Sequence, residues 1–124
     1  MNRIRLDKAD MAFSRYIRLR DKECVRCHSR GHGVDDIAGL QNSHYFGRGR
    51  EGTRFDPDNC DSLCAGCHRQ WGSDDREAYR AFKIKQLGED GFNALMVRAN
   101  TYCRKDRKMR YLEARELLKS LTSK

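Results

Sequence analysis

The sequence predicts an α+β fold, helical at both ends with a short-stranded middle. Three observations carry that expectation. Apolar residues recur at helical intervals before residue 22 and after residue 74. Six glycines fall within residues 28 to 59, too many for a long helix. Two Cys-x-x-Cys pairs bracket that glycine-rich stretch.

Residues 6 to 20 put Leu6, Ala9, Phe13, Tyr16 and Ile17 on one face, with Lys8, Arg15 and Arg18 elsewhere, which predicts an amphipathic first helix. The glycine-rich stretch reads as two short strands joined by loops, the second around Asn42 to Phe46. Asp74 followed by Glu77 has the pattern of a capping box with Asp in place of Ser or Thr. The periodic run after it stops at Gly88, so the sequence predicts a helix over 74–87. Another begins near Asp90 or Gly91 with Phe92, Leu95, Met96 and Ala99 on one face. A last one spans roughly 106 to 121, with Tyr111, Ala114, Leu118 and Leu121 spaced for burial. Trp71 is expected in the core. No repeat, no low-complexity tract and a single proline, Pro57, argue against a linker. One domain over 1–124 is therefore expected: an N-terminal helix over 1–22, a cysteine-bracketed core over 23–73 and a helical extension over 74–124, frayed from Leu121 to Lys124.

The 124 residues carry 26 Lys+Arg against 18 Asp+Glu, a net charge of +8, with 38% hydrophobic and 35% charged residues. That suffices for one modest core and calls for an added staple. No apolar run is long enough to span a membrane, and the opening MNRIRLDKADMA lacks the apolar stretch and small-residue site of a secretory signal. The sequence thus predicts neither a membrane protein nor a secreted one, and a reducing compartment for its six cysteines. Its positive charge favours a polyanionic partner, because each neutralised phosphate releases counterions.

The staple is legible in the spacing. Cys24 and Cys27 form one pair and Cys64 and Cys67 the other, and two such knuckles can present four thiolates to one tetrahedral Zn2+. A four-sulfur site has no open position, so it is structural, with a free energy on the order of 10–16 kcal/mol in zinc-finger peptides. Two redox pairs, or simply buried thiols, are the alternatives. Cys60 and Cys103 fall outside the pattern and are expected as small buried hydrophobes, with Cys60 an alternative ligand. His28 and His32 fit no role beyond loop residues or replacement zinc ligands.

Thirty-six residues separate Cys27 from Cys64, far more than a minimal zinc ribbon needs. Within them lie His44 and Asn59, and His68 follows the second knuckle directly. Arg48, Arg50 and Arg54 lie between His44 and Asn59, interleaved with Gly47, Gly49 and Gly52. Guanidinium forks match phosphate oxygens, and glycine lets a backbone come close, so these three are candidate DNA contacts, Arg48 and Arg54 foremost. Further positive charge sits on Arg15, Arg18 and Arg20 and on the cluster from Arg104 to Arg110. A solvated basic surface is the plainer reading of all of these. No base-reading aromatic motif appears, which points to contacts with the sugar-phosphate backbone.

The order His, Asn, His around two knuckles resembles the HNH, or His-Me finger, endonucleases, and most closely the phage recombination nucleases of the lambda NinG (Rap) type. The likeness runs through nearly the whole chain: an Arg-rich helix before the first knuckle, Ser43-His44-Tyr45, the stretch from Arg54 to Asn59, the second knuckle, and a helix ending at Leu87-Gly88. The resemblance implies a zinc-stapled ββα-metal finger flanked by an N-terminal helix and C-terminal helices. It implies His44 as general base, Asn59 as the residue that orients the finger, and His68 as ligand of a catalytic Mg2+ or Mn2+. Where many relatives carry an Asp before the base this chain has Ser43, an uncertain cation ligand, and where some carry a second His it has Gly72. Asp35, Asp36, Asp58 or a water are the candidates to complete the shell. The implied function is a DNA endonuclease of phage recombination or replication in the cytoplasm of a bacterial host. Branched DNA, including Holliday junctions, is a candidate substrate, and a homodimer a candidate assembly. An inactive zinc-bearing DNA-binding module, and a nicking, homing or packaging nuclease, are the rival readings.

Overall fold

A computed structural model describes residues 5 to 122. Helix α1 spans Lys8–Asp21 and opens on a reciprocal cap: Asp7 accepts from the Asp10 amide, and Asp10 accepts from the Asp7 amide, each at 3.0 Å. Ala9, Phe13 and Ile17 form its buried face, as the periodicity predicts, whereas Leu6 precedes the helix and is exposed. Burying Phe13 and Ile17 contributes roughly 1.5–3 kcal/mol each.

The strands differ from expectation. Strand β1 is Leu40–His44 and pairs antiparallel with β2, Cys60–Cys64, which lies outside the glycine-rich stretch and ends in the second knuckle. Before β1 the described residues form only two isolated bridges, Glu23 with Arg30 and His32 with Ala38. Strand β2 carries Asp61 and Ser62 yet is buried along almost its whole length, so it shows no apolar and polar alternation that would mark it in the sequence. Helix α1 packs on the hairpin and on the last helix. Its end also completes the hydrogen bonding of β2: Asp21 accepts from the Ser62 amide at 2.9 Å, and Arg20 donates to the carbonyls of Pro57 and Cys60.

Between the strands run a short helix α2, Glu51–Arg54, and a 3-10 turn, Pro57–Asn59. Helix α3, Ala65–Arg69, follows β2 and continues into a π-helical turn, Gln70–Asp74. That wider turn carries the chain one residue beyond the predicted start, so the cap of α4, Arg76–Ala99, is Asp75 and not Asp74: its side chain accepts from the Ala78 amide. Gly88 interrupts α4 with φ 77° and ψ 164°, a conformation open to glycine alone, which is the predicted break between two helices. Helix α5, Arg107–Thr122, completes the chain with Ala114 buried and Tyr111 and Leu118 half-buried. The fraying predicted from Leu121 does not hold for Leu121 and Thr122, which α5 includes, and its remaining residues, 123 and 124, lie outside the described residues.

Two apolar clusters share the hairpin. Leu40, Tyr45, Leu63, Trp71, Tyr79 and Phe92 form one, with Trp71 stacked on Tyr79 at 4.8 Å between ring centres; Trp71 is thus core, as expected. Phe13, Ile17, Phe55, Cys60 and Ala114 form the other. Beneath the first lies a polar knot. Lys83 and Asp61, both fully buried, pair at 3.1 Å; the Tyr79 hydroxyl donates to Asp61 at 3.0 Å and lies 3.1 Å from Ser43 Oγ; Gln86 bridges Lys83 and the second Asp61 oxygen. Every charge there is matched, the condition under which a buried pair is tolerated. Among the described residues no helix is long and apolar enough to cross a membrane.

Candidate functional site

The two knuckles meet at one end of the hairpin. Register pairs Leu40 with Cys64, so β2 delivers Cys64 at its end and α3 carries Cys67 one turn further. Cys24 and Cys27 come from a tight turn after α1, in which the His28 amide donates to the Cys24 carbonyl at 2.8 Å and the Cys27 amide to Cys24 Sγ at 3.5 Å. Val25 donates from its backbone to Ser62, locking this turn onto β2. The four Sγ atoms lie within 4.8 Å of one another, with Cys27 and Cys64 3.8 Å apart. That spacing is the edge of a tetrahedron built on metal–sulfur bonds of about 2.3 Å. Arg26 donates to Cys67 Sγ at 3.2 Å, setting a positive charge beside the thiolates. The four sulfurs therefore fit one zinc ion and leave it no open position.

The other cysteines and two histidines stay outside this tetrad. Cys60 is buried in the second apolar cluster, where burial pushes its thiol well above the ordinary range. Cys103 is half-buried rather than buried, and accepts from Arg110 at 3.4 Å. His28 pairs with Glu23, and His32 makes its backbone bridge to Ala38.

A second site draws on the same short helix, α3. His44, at the end of β1, and His68, next to Cys67, line one open cleft of about 640 Å³ with Gln41, Arg69, Ser73 and Arg76. His44 Nε2 lies 2.9 Å from the Arg54 carbonyl, and a carbonyl can only accept, so in the neutral ring the proton is on Nε2 and the lone pair on Nδ1. Nδ1 is buried and has no protein partner among the described residues. Burial first, and then the charge of Arg48, hold the pKa of His44 down to about 4, so the ring is neutral at pH 7. His68 Nδ1 lies 2.7 Å from Gln41 Oε1, which places its proton there and leaves the lone pair on Nε2; burial and Arg48 lower its pKa too. Two members of the order read in the sequence, His44 and His68, thus line one cleft.

Asn59 acts at one remove. Fully buried, it accepts from the Phe46 amide at 2.8 Å and donates to the carbonyls of Phe46 and Thr53, clipping both ends of the loop that follows His44. It is a positioning residue and does not line the cleft.

Several expected contacts are corrected. Arg54 is buried, and its guanidinium grips both oxygens of Asp10 at 2.8 and 2.6 Å and the Arg5 carbonyl, so it ties α1 to α2 instead of facing DNA. Burial pushes the Asp10 carboxyl up, but the bonds and charge of Arg54, the Asp7 amide and the charge of Arg107 together outweigh it and hold the pKa below the ordinary value. Ser43 lies in the cleft floor but is only 1% exposed, and its oxygen belongs to the Tyr79 knot, not to an open cation position. Asp35 and Asp58 are paired with Arg15 and Arg98, Asp36 sits in an exposed loop, and none of the three lines the cleft. Of the other arginines, Arg50 is exposed, donates to Asn100 and stacks over Phe46, while Arg48 is the one whose charge reaches both histidines.

Sequence reasoning missed Gln41 and Arg76. Arg76 donates to the Tyr45 carbonyl at 2.8 Å and lies 4.6 Å from the centre of the Tyr45 ring, a guanidinium held in place at the rim of the cleft. Gln41 had a faint signal, two residues before Ser43 on the same strand face; Arg76 had none beyond its place after a helix cap. A family model described as bacteriophage Lambda NinG protein matches residues 3–123. No curated protein and no solved structure matches.

Proposed function

The chain belongs to the bacteriophage Lambda NinG protein family, and from that premise we propose that it is a metal-dependent DNA endonuclease of phage recombination or replication. The observation that carries the reading is the pairing, in one cleft lined also by Arg69 and Arg76, of two imidazole lone pairs whose partners have fixed their tautomers.

Hydrolysis of a phosphodiester needs a deprotonated water, stabilised charge on the phosphoryl oxygens and a departing oxygen. His44 Nδ1 takes the proton of a water as that water attacks phosphorus, the bond from phosphorus to the departing oxygen breaks and solvent protonates that oxygen, and the Arg54 carbonyl, accepting from Nε2, stabilises the imidazolium that forms. Arg76, Arg69 and Arg48 draw the phosphate into the cleft and offset its charge. His68 Nε2, oriented by Gln41, would hold Mg2+ or Mn2+, and among the described residues no carboxylate lines the cleft to add a second ligand. This donor set fits a cation that keeps most of its water and takes its remaining ligands from DNA, and such an ion supplies stabilisation of charge at the scissile phosphate. Branched DNA is the candidate substrate, a homodimer the candidate assembly and the host cytoplasm the place of action.

The lack of a carboxylate is also the specific observation that favours the second reading, a zinc-stapled DNA-binding module without catalysis. Plasmid cleavage in Mg2+ or Mn2+ separates the two. His44→Ala should lower the rate about 10²–10⁴-fold while zinc content and melting stay those of the parent. Equal rates would remove His44 as base, and a parent that binds but never cuts would leave the binding module. Linear duplex, nicked duplex, flap and four-way junction compared side by side then rank the substrates.

A further inference from the structure

Between α1 and α5 runs a groove of about 600 Å³. Its walls follow helical spacing: Lys8, Met11, Arg15 and Arg18 come from one face of α1, and Tyr111, Arg115 and Leu118 from one face of α5. The α1 wall, from Lys8 to Arg18, covers roughly 15 Å, about three turns of helix.

The lining has two parts. Met11 is 65% exposed and Leu6 57%, while Tyr111 and Leu118 are half-buried, so apolar surface stays uncovered on both sides of the groove. Beside it lies positive charge with little to match it. Lys8, Arg18 and Arg115 form no ion pair among the described residues, and Arg15 has Asp35 at 3.0 Å across two exposed side chains, a contact worth little in water. Burial and the like charge of Arg15 lower the pKa of Arg18. The one acid among the described residues that line the groove, Asp10, has both oxygens held by Arg54. The groove therefore lacks two things at once, an apolar ridge and a set of carboxylates.

We propose that this groove is the docking site for an acidic, amphipathic helix of a partner protein, its apolar ridge on Met11, Tyr111 and Leu118 and its flanking carboxylates on Lys8, Arg18 and Arg115. Two packed helices leave between them the furrow that a third helix fills with side chains spaced by three and four. A DNA strand would use the cations and leave the apolar surface uncovered. A second copy of this chain would bring its own charge of +8 against them. The inference goes beyond the endonuclease reading and does not depend on it.

The probe is a labelled synthetic peptide of about 16 residues, long enough to form a helix, with leucine at i, i+4, i+7 and i+11 and glutamate on the flanks. A second peptide has the same composition with its leucines scattered. Fluorescence anisotropy at fixed salt should show the patterned peptide binding at least about tenfold tighter than the scattered one, as burial of one or two leucines gives. Met11→Gln and Arg115→Glu should each weaken the patterned peptide about tenfold, and both side chains are exposed, so melting should stay that of the parent. Equal binding of the two peptides, no binding of either, or unchanged affinity in both variants overturns the inference. The other occupants are read with the same proteins. Met11→Gln should leave both the affinity for a short DNA duplex and the molar mass in light scattering unchanged. A loss of duplex affinity equal to the loss for the peptide would give the groove to DNA, a fall in molar mass would give it to a second copy, and either result overturns the proposal.

Discussion

Cys67 and His68 are neighbours on one short helix, yet they belong to regions of opposite character. The sulfur tetrad is closed: each thiol faces three others, a neighbouring strand locks the turn, and an arginine offsets the charge. The histidine cleft is open: each ring spends one nitrogen on a fixed partner and holds the other in reserve. The difference teaches that what a site leaves unsatisfied, more than what it satisfies, separates a cleft able to take a ligand from a scaffold.

The comparison is most easily broken at the tetrad. Removing the zinc, or replacing Cys24 by Ser, should unfold the chain, with a loss on the order of 10 kcal/mol, read by circular dichroism melting beside elemental analysis of about one zinc per chain. A metal-free protein that melts like the parent would reduce the tetrad to decoration. A smaller effect is expected one layer away. Lys83→Ala strands Asp61 without its charge partner and should cost about 3–5 kcal/mol in urea unfolding, with zinc retained; a loss below about 1 kcal/mol would show that the pair contributes little to the fold.

The smallest effect sharpens the cleft side. His44 titrates at about 4 in the folded chain against about 6.5 when unfolded. Between those values the unfolded chain binds the extra proton, so stability that is fully present above pH 6.5 is lost as the pH falls toward 4. The ring is only partly buried, so the loss is discounted to about 1–2 kcal/mol. Urea midpoints of the parent and of His44→Gln, compared at pH 7.5 and 5, isolate it from thiolate protonation, which both proteins share. The parent should lose more; parallel losses would mean the ring is not desolvated.

What the sequence reveals follows from the range of the interactions. The tetrad was legible because each half is a local turn of four residues, and the amphipathic faces of α1 and α5 because helices repeat at short intervals. The cleft was legible through motif order rather than through any local pattern. Arg54 was misread because its partner, Asp10, lies 44 residues away, and nothing near either of them in the chain announces the pair. Strand β2 was missed for a related reason: Asp61 and Ser62 look solvated until Lys83, Tyr79 and Asp21 arrive from two different helices.

Those polar strands bear on how the hairpin finds its alignment. Gln41, Asn42 and Ser43 facing Leu63, Ser62 and Asp61 offer no greasy stripe to choose one pairing over its neighbour. A slip by a single residue would turn Asp61 away from Lys83 and carry Cys64 off the first knuckle. A zinc ion could be captured only by the correctly threaded chain, so it would proofread the hairpin as well as fasten it.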